Sequence, residues 1–275
     1  MVESVEHENR IMDSQLSLST TVRLNNGVDM PVFGLGVWQM AEGEETERAV
    51  LWALEAGYRL IDTARIYGNE SGVGRAVAKS GVPRENIFVT TKLWPTDFFR
   101  VRAAFQKSLE KLGLSYIDLY LIHWPIPFVK SRIWTDFENI YAQGLVRAIG
   151  VSNYNVNQLE ALASTANVPP AVNQVLFHPF SYKQQLLDYC KSKNIVVEAY
   201  SPLARGKKLD DPIIAEIAKK YEKTPAQIMN RWSLQHGLIP IPKSSNKKRI
   251  VENAGVFDFQ IGNADMTRLD DLNPK

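Results

Sequence analysis

The stretch Ile117-Asp118-Leu119-Tyr120-Leu121-Ile122-His123 sets the frame for the whole chain. Its first six residues form a short, nearly continuous apolar run, the pattern of a strand buried on both faces in a parallel sheet. The run closes on an imidazole. Two earlier runs behave alike: Ile87-Phe88-Val89-Thr90-Thr91 closes on Lys92, and Arg59-Leu60-Ile61 closes on Asp62, with Tyr67 shortly after. Strands side by side in a parallel barrel bring such terminal side chains to one rim, where barrels of this type carry their chemistry.

Outward from these runs, strands and helices alternate along almost the entire chain. Residues 21–24, the Asn26-Gly27 pair and residues 28–30 predict a tight hairpin, expected to plug the barrel floor, since Asn-Gly accommodates the positive φ of such a turn. Strand 32–36 follows, then helix 44–56 ended by Gly57. Strand 59–63, helix 70–79 and strand 87–92 come next. Asp97 is expected to lead a helix whose apolar stripe is Val101, Phe105, Leu109 and Leu112. After strand 117–122 the spacing predicts helix 132–143, strand 145–151, helix 156–164, strand 171–175, helix 182–193, strand 195–200 and helix 211–221. Thr224-Pro225 marks another helix start, a cap followed by proline at the first helical position. Strand 238–242 and a helix beginning at Asn246 complete eight strand–helix units. The expected architecture is an α/β (β/α)8 TIM barrel with an N-terminal β-hairpin. Residues 1–19 are expected to be a flexible tail and residues 20–275 a single catalytic barrel domain. Such a barrel needs roughly 250 residues, which a chain of 275 supplies.

Composition narrows the function classes. Hydrophobic residues make up 45% and charged residues 23%, the balance of a globular protein whose core needs no staples. A net charge of +2, without a basic block interleaved with aromatics, argues against a nucleic-acid partner. No run of ~20 apolar residues offers a membrane span. Cys190 is the single cysteine, so no internal disulfide forms, in keeping with a reducing, cytoplasmic setting. Residues 1–19 carry Glu3, Glu6, Glu8 and Asp13 and lack the apolar core of a secretory signal. Four scattered histidines and one cysteine offer no metal site. Gly34-Leu35-Gly36 and Gly72-Val73-Gly74 both lack the third glycine of the Rossmann fingerprint. A monomer is expected.

Asp62, Tyr67, Lys92 and His123 together suit hydride transfer to a carbonyl. A carbonyl that accepts a hydride becomes an alkoxide and needs a proton. Tyr67 is the expected donor, but an unperturbed phenol has a pKa of about 10, too high for easy acid catalysis near neutrality. A cationic Lys92 beside the phenol is expected to lower it, with Asp62 holding the lysine charged and oriented. A neutral His123 is expected to donate a hydrogen bond to the carbonyl oxygen. Each residue also has an ordinary reading: a solvated lysine, a bonded core histidine, an aspartate cap, a packing tyrosine. Their place at successive strand ends favours the chemical one. An alternative makes Lys92 the Schiff-base nucleophile of an aldolase, although a nucleophilic lysine should be uncharged and Asp62 opposes that.

Longer motifs resemble the aldo-keto reductases. The carriers are residues 57–64 with Tyr67-Gly68-Asn69-Glu70, residues 112–125, residues 146–153, and Ile241-Pro242-Lys243-Ser244 with Arg249 and Glu252-Asn253. The resemblance spans about residues 20–273 and is of the prokaryotic, diketogluconate/aldehyde reductase-like type. It implies a (β/α)8 barrel that binds NADPH/NADP+ without a Rossmann domain. It also implies a catalytic tetrad of Asp62, Tyr67, Lys92 and His123. Ser152, Asn153 and Gln174 would hold the nicotinamide carboxamide, Tyr200 would stack on the ring, and Ser201 to Leu203 would form the pyrophosphate loop. Lys243, Ser244 and Arg249 would surround the 2′-phosphate, and Glu252 and Asn253 the adenine. Lys243 and Arg249 bracket a helix start, the usual phosphate site of a barrel, and two cations there favour NADPH over NADH. Lys247 and Lys248 read as a solvated turn.

Trp38, Trp94 and Trp124 are expected to line an apolar substrate pocket. Four departures from fuller family members bear on substrate: Arg65 near the tetrad, Val37, a short segment between Trp124 and Ile133, and an end at Asn273-Pro274-Lys275. They suggest an open pocket taking small aldehydes, α-dicarbonyls and sugar-derived ketones, with Arg65 attracting anionic substrates. A non-catalytic module that senses redox state through bound NADPH is the other reading, which the intact tetrad opposes.

Overall fold

Residues 16–125 and 130–274 are described by the structure, a computed structural model. The chain opens with an antiparallel hairpin, β1 (Thr21–Arg23) and β2 (Asp29–Pro31), with Val22 opposite Met30. Its turn is tied by Leu24 N–H to Val28 O at 2.8 Å, with Gly27 at φ 84°. Leu24 and Met30 are buried in one cluster with Leu60, Phe88, Leu119 and Ile239 from the strands. The Asn26 side chain donates to Arg147 O and that of Asn25 to Pro170 O. The hairpin therefore plugs the N-terminal end of the barrel, leaving the opposite rim open.

Eight parallel strands follow: β3 (Gly34–Gly36), β4 (Leu60–Asp62), β5 (Phe88–Leu93), β6 (Ile117–Ile122), β7 (Val146–Ser152), β8 (Val172–Leu176), β9 (Val196–Tyr200) and β10 (Ile239–Ile241). They pair in chain order, β3 to β10. Gly36 N–H donates to Pro242 O at 3.3 Å across the remaining seam. A Cβ on Gly36 would stand 2.9 Å from Ile241 O, so glycine permits that approach.

Ten helices cover the described residues: α1 (Glu44–Glu55), α2 (Glu70–Lys79), α3 (Val101–Leu112), α4 (Lys130–Ala142), α5 (Val156–Ala163), α6 (Gln184–Ser192), α7 (Pro212–Lys220), α8 (Pro225–Gln235), α9 (Lys247–Ala254) and α10 (Asn263–Asp270). Val101, Phe105, Leu109 and Leu112 of α3 are all buried, as their spacing predicts. Thr224 and Gln227 form a reciprocal capping box at the start of α8. Asn246 caps α9, its Oδ1 accepting from Arg249 N–H at 3.2 Å. Most element ends shift by one or two residues from those expected, and α10 was not foreseen.

Asp97 does not lead α3. It closes a 3-10 turn, Pro95–Asp97, four residues before the helix, and its buried carboxylate pairs with Arg65 instead. Of the expected tail 1–19, residues 1–15 lie outside the described residues. Leu16 is buried, Ser17 N–H donates to Thr20 Oγ1 at 2.9 Å, and Leu18 packs on the core. The segment after Trp124 falls partly on 126–129, also outside. Among the described residues no helix is long and apolar enough to cross a membrane.

Candidate active site

The open rim collects side chains that the chain keeps far apart. Asp62 ends β4, and Tyr67 ends the 3-10 turn Arg65–Tyr67 just beyond it. Lys92 lies near the end of β5, and His123 follows β6 directly. Asn69 fixes the loop that carries Tyr67: its amide donates to Val37 O and Met40 O while its Oδ1 accepts from Thr63 Oγ1.

Lys92 is wholly buried. Its Nζ donates to Asp62 Oδ1 at 2.7 Å and to Thr63 O at 2.8 Å, and reaches Tyr67 OH at 3.5 Å. Burial presses the ammonium toward neutrality, but Asp62 and Tyr67 hold its pKa above the ordinary lysine value. His123 stands edge-on to Tyr67, ring centroids 5.7 Å apart, and to Trp94 at 5.0 Å. Burial, then the Lys92 charge, push its pKa down to about 3, so the ring is neutral. Its Nδ1 is buried without a hydrogen-bond partner, and the ring borders the open cleft.

Tyr67 departs from expectation. Lys92 does pull its pKa down, but burial outweighs that pull and the phenol is pushed up to about 12. Arg65 departs too. Its guanidinium is bound to Asp97 and is absent from the walls of the cleft, so it is not a cation presented to substrate.

The four residues sit at one end of a cleft of about 860 Å³. Asp62, Tyr67 and His123 line it, whereas Lys92 lies buried beneath. Trp38, Trp94 and Trp124 form its apolar mouth, with Trp38 and Trp124 36% and 49% exposed. Asn153, Gln174, Tyr200, Ser201 and Leu203 carry the wall onward, and Ser152 stays buried behind them. Lys243, Ser244, Arg249, Glu252 and Asn253, from the loop after β10 and from α9, line it as well. Every candidate residue thus borders this cleft or, for Lys92 and Ser152, lies directly behind its wall. Among the described residues, no group of three or more His, Cys, Asp or Glu is placed to hold a metal ion.

Two residues at the site were not singled out from the sequence. Arg205, at φ 56° just after the loop that Ser201 begins, lies over the Trp38 ring at 4.7 Å and lines the cleft. Glu198, in β9, is fully buried behind Gln174. Its signal was legible: one carboxylate inside the apolar run 195–200.

The sequence profile of the Aldo/keto reductase family matches residues 32–274. A glyoxal reductase of Bacillus subtilis is 49% identical over 259 residues, covering 94% of each chain. A methylglyoxal reductase of Escherichia coli is 44% identical, covering 92% of this chain and 94% of its own. Among solved structures, an aldo-keto reductase from a Medee basin deep-sea metagenome superposes with a TM-score of 0.89 at 47% identity, covering 92% of this chain and 95% of that one. A Bombyx mori aldo-keto reductase in complex with NADP gives 0.87 at 39% identity, over 94% of both. With matches of this extent in sequence and in three dimensions, the chain belongs to the aldo/keto reductase family.

Proposed function

We propose that this protein reduces small aldehydes and α-dicarbonyls to alcohols with NADPH, with Tyr67 as the proton donor. One observation carries the reading: a wholly buried ammonium, Lys92, bound to Asp62 at 2.7 Å and directed at Tyr67 OH under an open cleft. Burying a charge is costly unless it is paired, and a cation kept at a phenol's oxygen suits the moment when that phenol gives up its proton.

The cleft fits a dinucleotide. Ser152, Asn153 and Gln174 offer amide and hydroxyl groups for a carboxamide at the tetrad end, where Tyr200 offers a ring face. In the same lining, neither Lys243 nor Arg249 has, among the described residues, a carboxylate within ion-pair distance. Uncommitted cations beside Ser244 suit a dianionic 2′-phosphate, and hence NADPH over NADH. Ser201 to Leu203 would bound the pyrophosphate, and Glu252 and Asn253 the adenine. The nicotinamide supplies a hydride when bound.

The remaining chemistry falls to the chain. Neutral His123 hydrogen-bonds the carbonyl oxygen and orients it. Tyr67 OH gives the proton to the oxygen as negative charge develops there. Because burial holds the phenol near 12 in the free protein, Lys92 acts by stabilising the phenolate as it forms, not by maintaining it beforehand. Asp62 keeps Lys92 cationic, which works against a Schiff-base role for that amine. Trp38, Trp94 and Trp124 hold apolar substrate surface and exclude water. The names of the glyoxal and methylglyoxal reductases support small dicarbonyls as the substrate class.

The test is steady-state oxidation of NADPH and of NADH with glyoxal, methylglyoxal and benzaldehyde. NADPH should exceed NADH in kcat/KM at least about tenfold, and Arg249→Ala should weaken NADPH binding by roughly tenfold or more while sparing NADH, the scale of a charge-assisted hydrogen bond. Turnover of none of these carbonyls with either coenzyme would remove the reading.

A further inference from the structure

Two turns at the open rim are tied together outside the lining of the cleft. The first, Arg65–Tyr67, follows β4 and carries Tyr67. The second, Pro95–Asp97, comes directly after Trp94. The Arg65 guanidinium crosses from one to the other and pairs with the Asp97 carboxylate. The Asp97 side chain is 8% exposed and that of Arg65 29%. A carboxylate buried to this degree is held to its counter-charge, because drawing the two apart strands it. Its surroundings offer little relief. The Tyr120 hydroxyl and Glu70 Oε2 are buried without hydrogen-bond partners. Of the charges that bear on the Tyr120 phenol, Glu70 and Asp97 are negative and Arg65 is positive. Arg65 therefore supplies positive charge to a buried acidic group.

The same pair closes a frame around His123. The imidazole meets the Tyr67 ring edge-on, centroids 5.7 Å apart, and the Trp94 ring edge-on at 5.0 Å. Its Nδ1 has no hydrogen-bond partner, so no bond at that nitrogen fixes the ring, and its direction rests on the two rings packed against it. The turn bearing Tyr67 is anchored toward β3 by Asn69, whose amide donates to Val37 O and Met40 O. The turn after Trp94 is closed by local bonds, Asp97 N–H to Trp94 O at 2.9 Å and Arg100 N–H to Asp97 O at 2.7 Å. The Arg65–Asp97 pair links one turn to the other.

We infer that Arg65 is a positioning residue for the reduction proposed above: paired with Asp97, it sets the spacing of the Tyr67 and Trp94 turns and so the direction in which the His123 ring meets the carbonyl oxygen. This rests on the reading of the cleft as the site of a carbonyl reduction. Arg65 lies outside the lining and acts through His123. Such geometry carries weight, since a misplacement of about 1 Å costs on the order of a hundredfold in rate.

Arg65→Met keeps most of the side chain's length and removes its charge, whereas Arg65→Lys keeps a cation for Asp97. Both are assayed with methylglyoxal and NADPH, alone and combined with His123→Asn. Arg65→Met should lower kcat by roughly tenfold or more, with the NADPH dissociation constant unchanged. Arg65→Lys should recover most of that loss. In the His123→Asn background, Arg65→Met should cost less than about twofold, because the ring it acts through is gone. A role in stability alone would lower the melting temperature without this dependence on His123. NMR reads the geometry apart from turnover. The His123 ring signals should move in Arg65→Met and stay in place in Arg65→Lys, with those of His178 and His236 unmoved in both. A folded Arg65→Met with wild-type kcat overturns the inference. So does a loss that persists in full without His123, and so do His123 signals that do not move. If Arg65→Met does not fold, Asp97→Asn breaks the pair from its other end and is held to the same outcomes. A wild type that turns over no carbonyl, while its His123 signals respond to Arg65 in this way, would overturn the functional reading and leave the pair's hold on the ring standing.

Discussion

The Lys92–Asp62 pair shows how one residue carries both structure and chemistry. Both side chains are almost wholly removed from water, 0% and 3% exposed. Removing one partner strands the other, which costs about 3–5 kcal/mol in comparable buried pairs. Lys92→Met should therefore lower unfolding free energy by that order, and Asp62→Asn combined with Lys92→Met by less than the two single losses together. Urea titration of the three variants measures it, and strict additivity would contradict the coupling. His123 gives a pH dependence. Its pKa is about 3 in the folded protein against 6.5 for the free side chain. Between those values the unfolded chain binds a proton that the folded chain refuses, so stability is complete above pH 6.5 and falls as pH drops toward 3. His178, pushed down to about 4 by burial, acts in the same direction. The melting temperature should fall from pH 7 to pH 5, and His123→Asn should reduce that slope, whereas an unchanged slope would show that the ring is solvated. The sequence made these residues visible because each closes an apolar run. It could not make visible the balance at Tyr67, since the loss of water around a phenol depends on everything packed over it.

At the scale of elements, what was legible depended on how local the cause is. Caps and stripes are local: the Thr224–Gln227 box and the buried face of α3 follow from residues three or four apart. The start of α3 is not local. Asp97 has the composition of a cap, but Arg65, from the preceding strand–helix unit, takes its carboxylate. The same long-range pairing removes Arg65 from the substrate question. The lone carboxylate of Glu198 stands out in its apolar run, but its pairing with Gln174 on the neighbouring strand is a relation that needs register. Helix packing gives a further case in Gly74. A Cβ there would lie 2.0 Å from Leu112 O, so α2 and α3 touch through backbone and cannot yield cheaply. Gly74→Ala should destabilise by roughly 1–3 kcal/mol, the range for overpacking, despite alanine's better helix propensity. A thermal melt at or above the wild-type value would mean the helices separate freely.

For the whole molecule, the barrel's order was readable because its strands pair in the order of the chain, and because each of the eight strand-like runs is followed, after a loop, by a helical segment. Closure was less readable, since it rests on Gly36 reaching Pro242 O from the far end of the sequence. The hairpin floor and the open rim divide labour: Leu24 and Met30 seal one end with apolar side chains, and the other end gathers the polar ones into one cleft. The reaction proposed for this cleft turns on Tyr67. The direct measurement is kcat for methylglyoxal reduction by Tyr67→Phe, with NADPH affinity measured alongside by fluorescence. Loss of a positioned proton donor should lower kcat by about 10²–10⁴-fold, with the NADPH dissociation constant within threefold of wild type. A variant that keeps near-normal kcat while still binding NADPH would show that the proton comes from elsewhere.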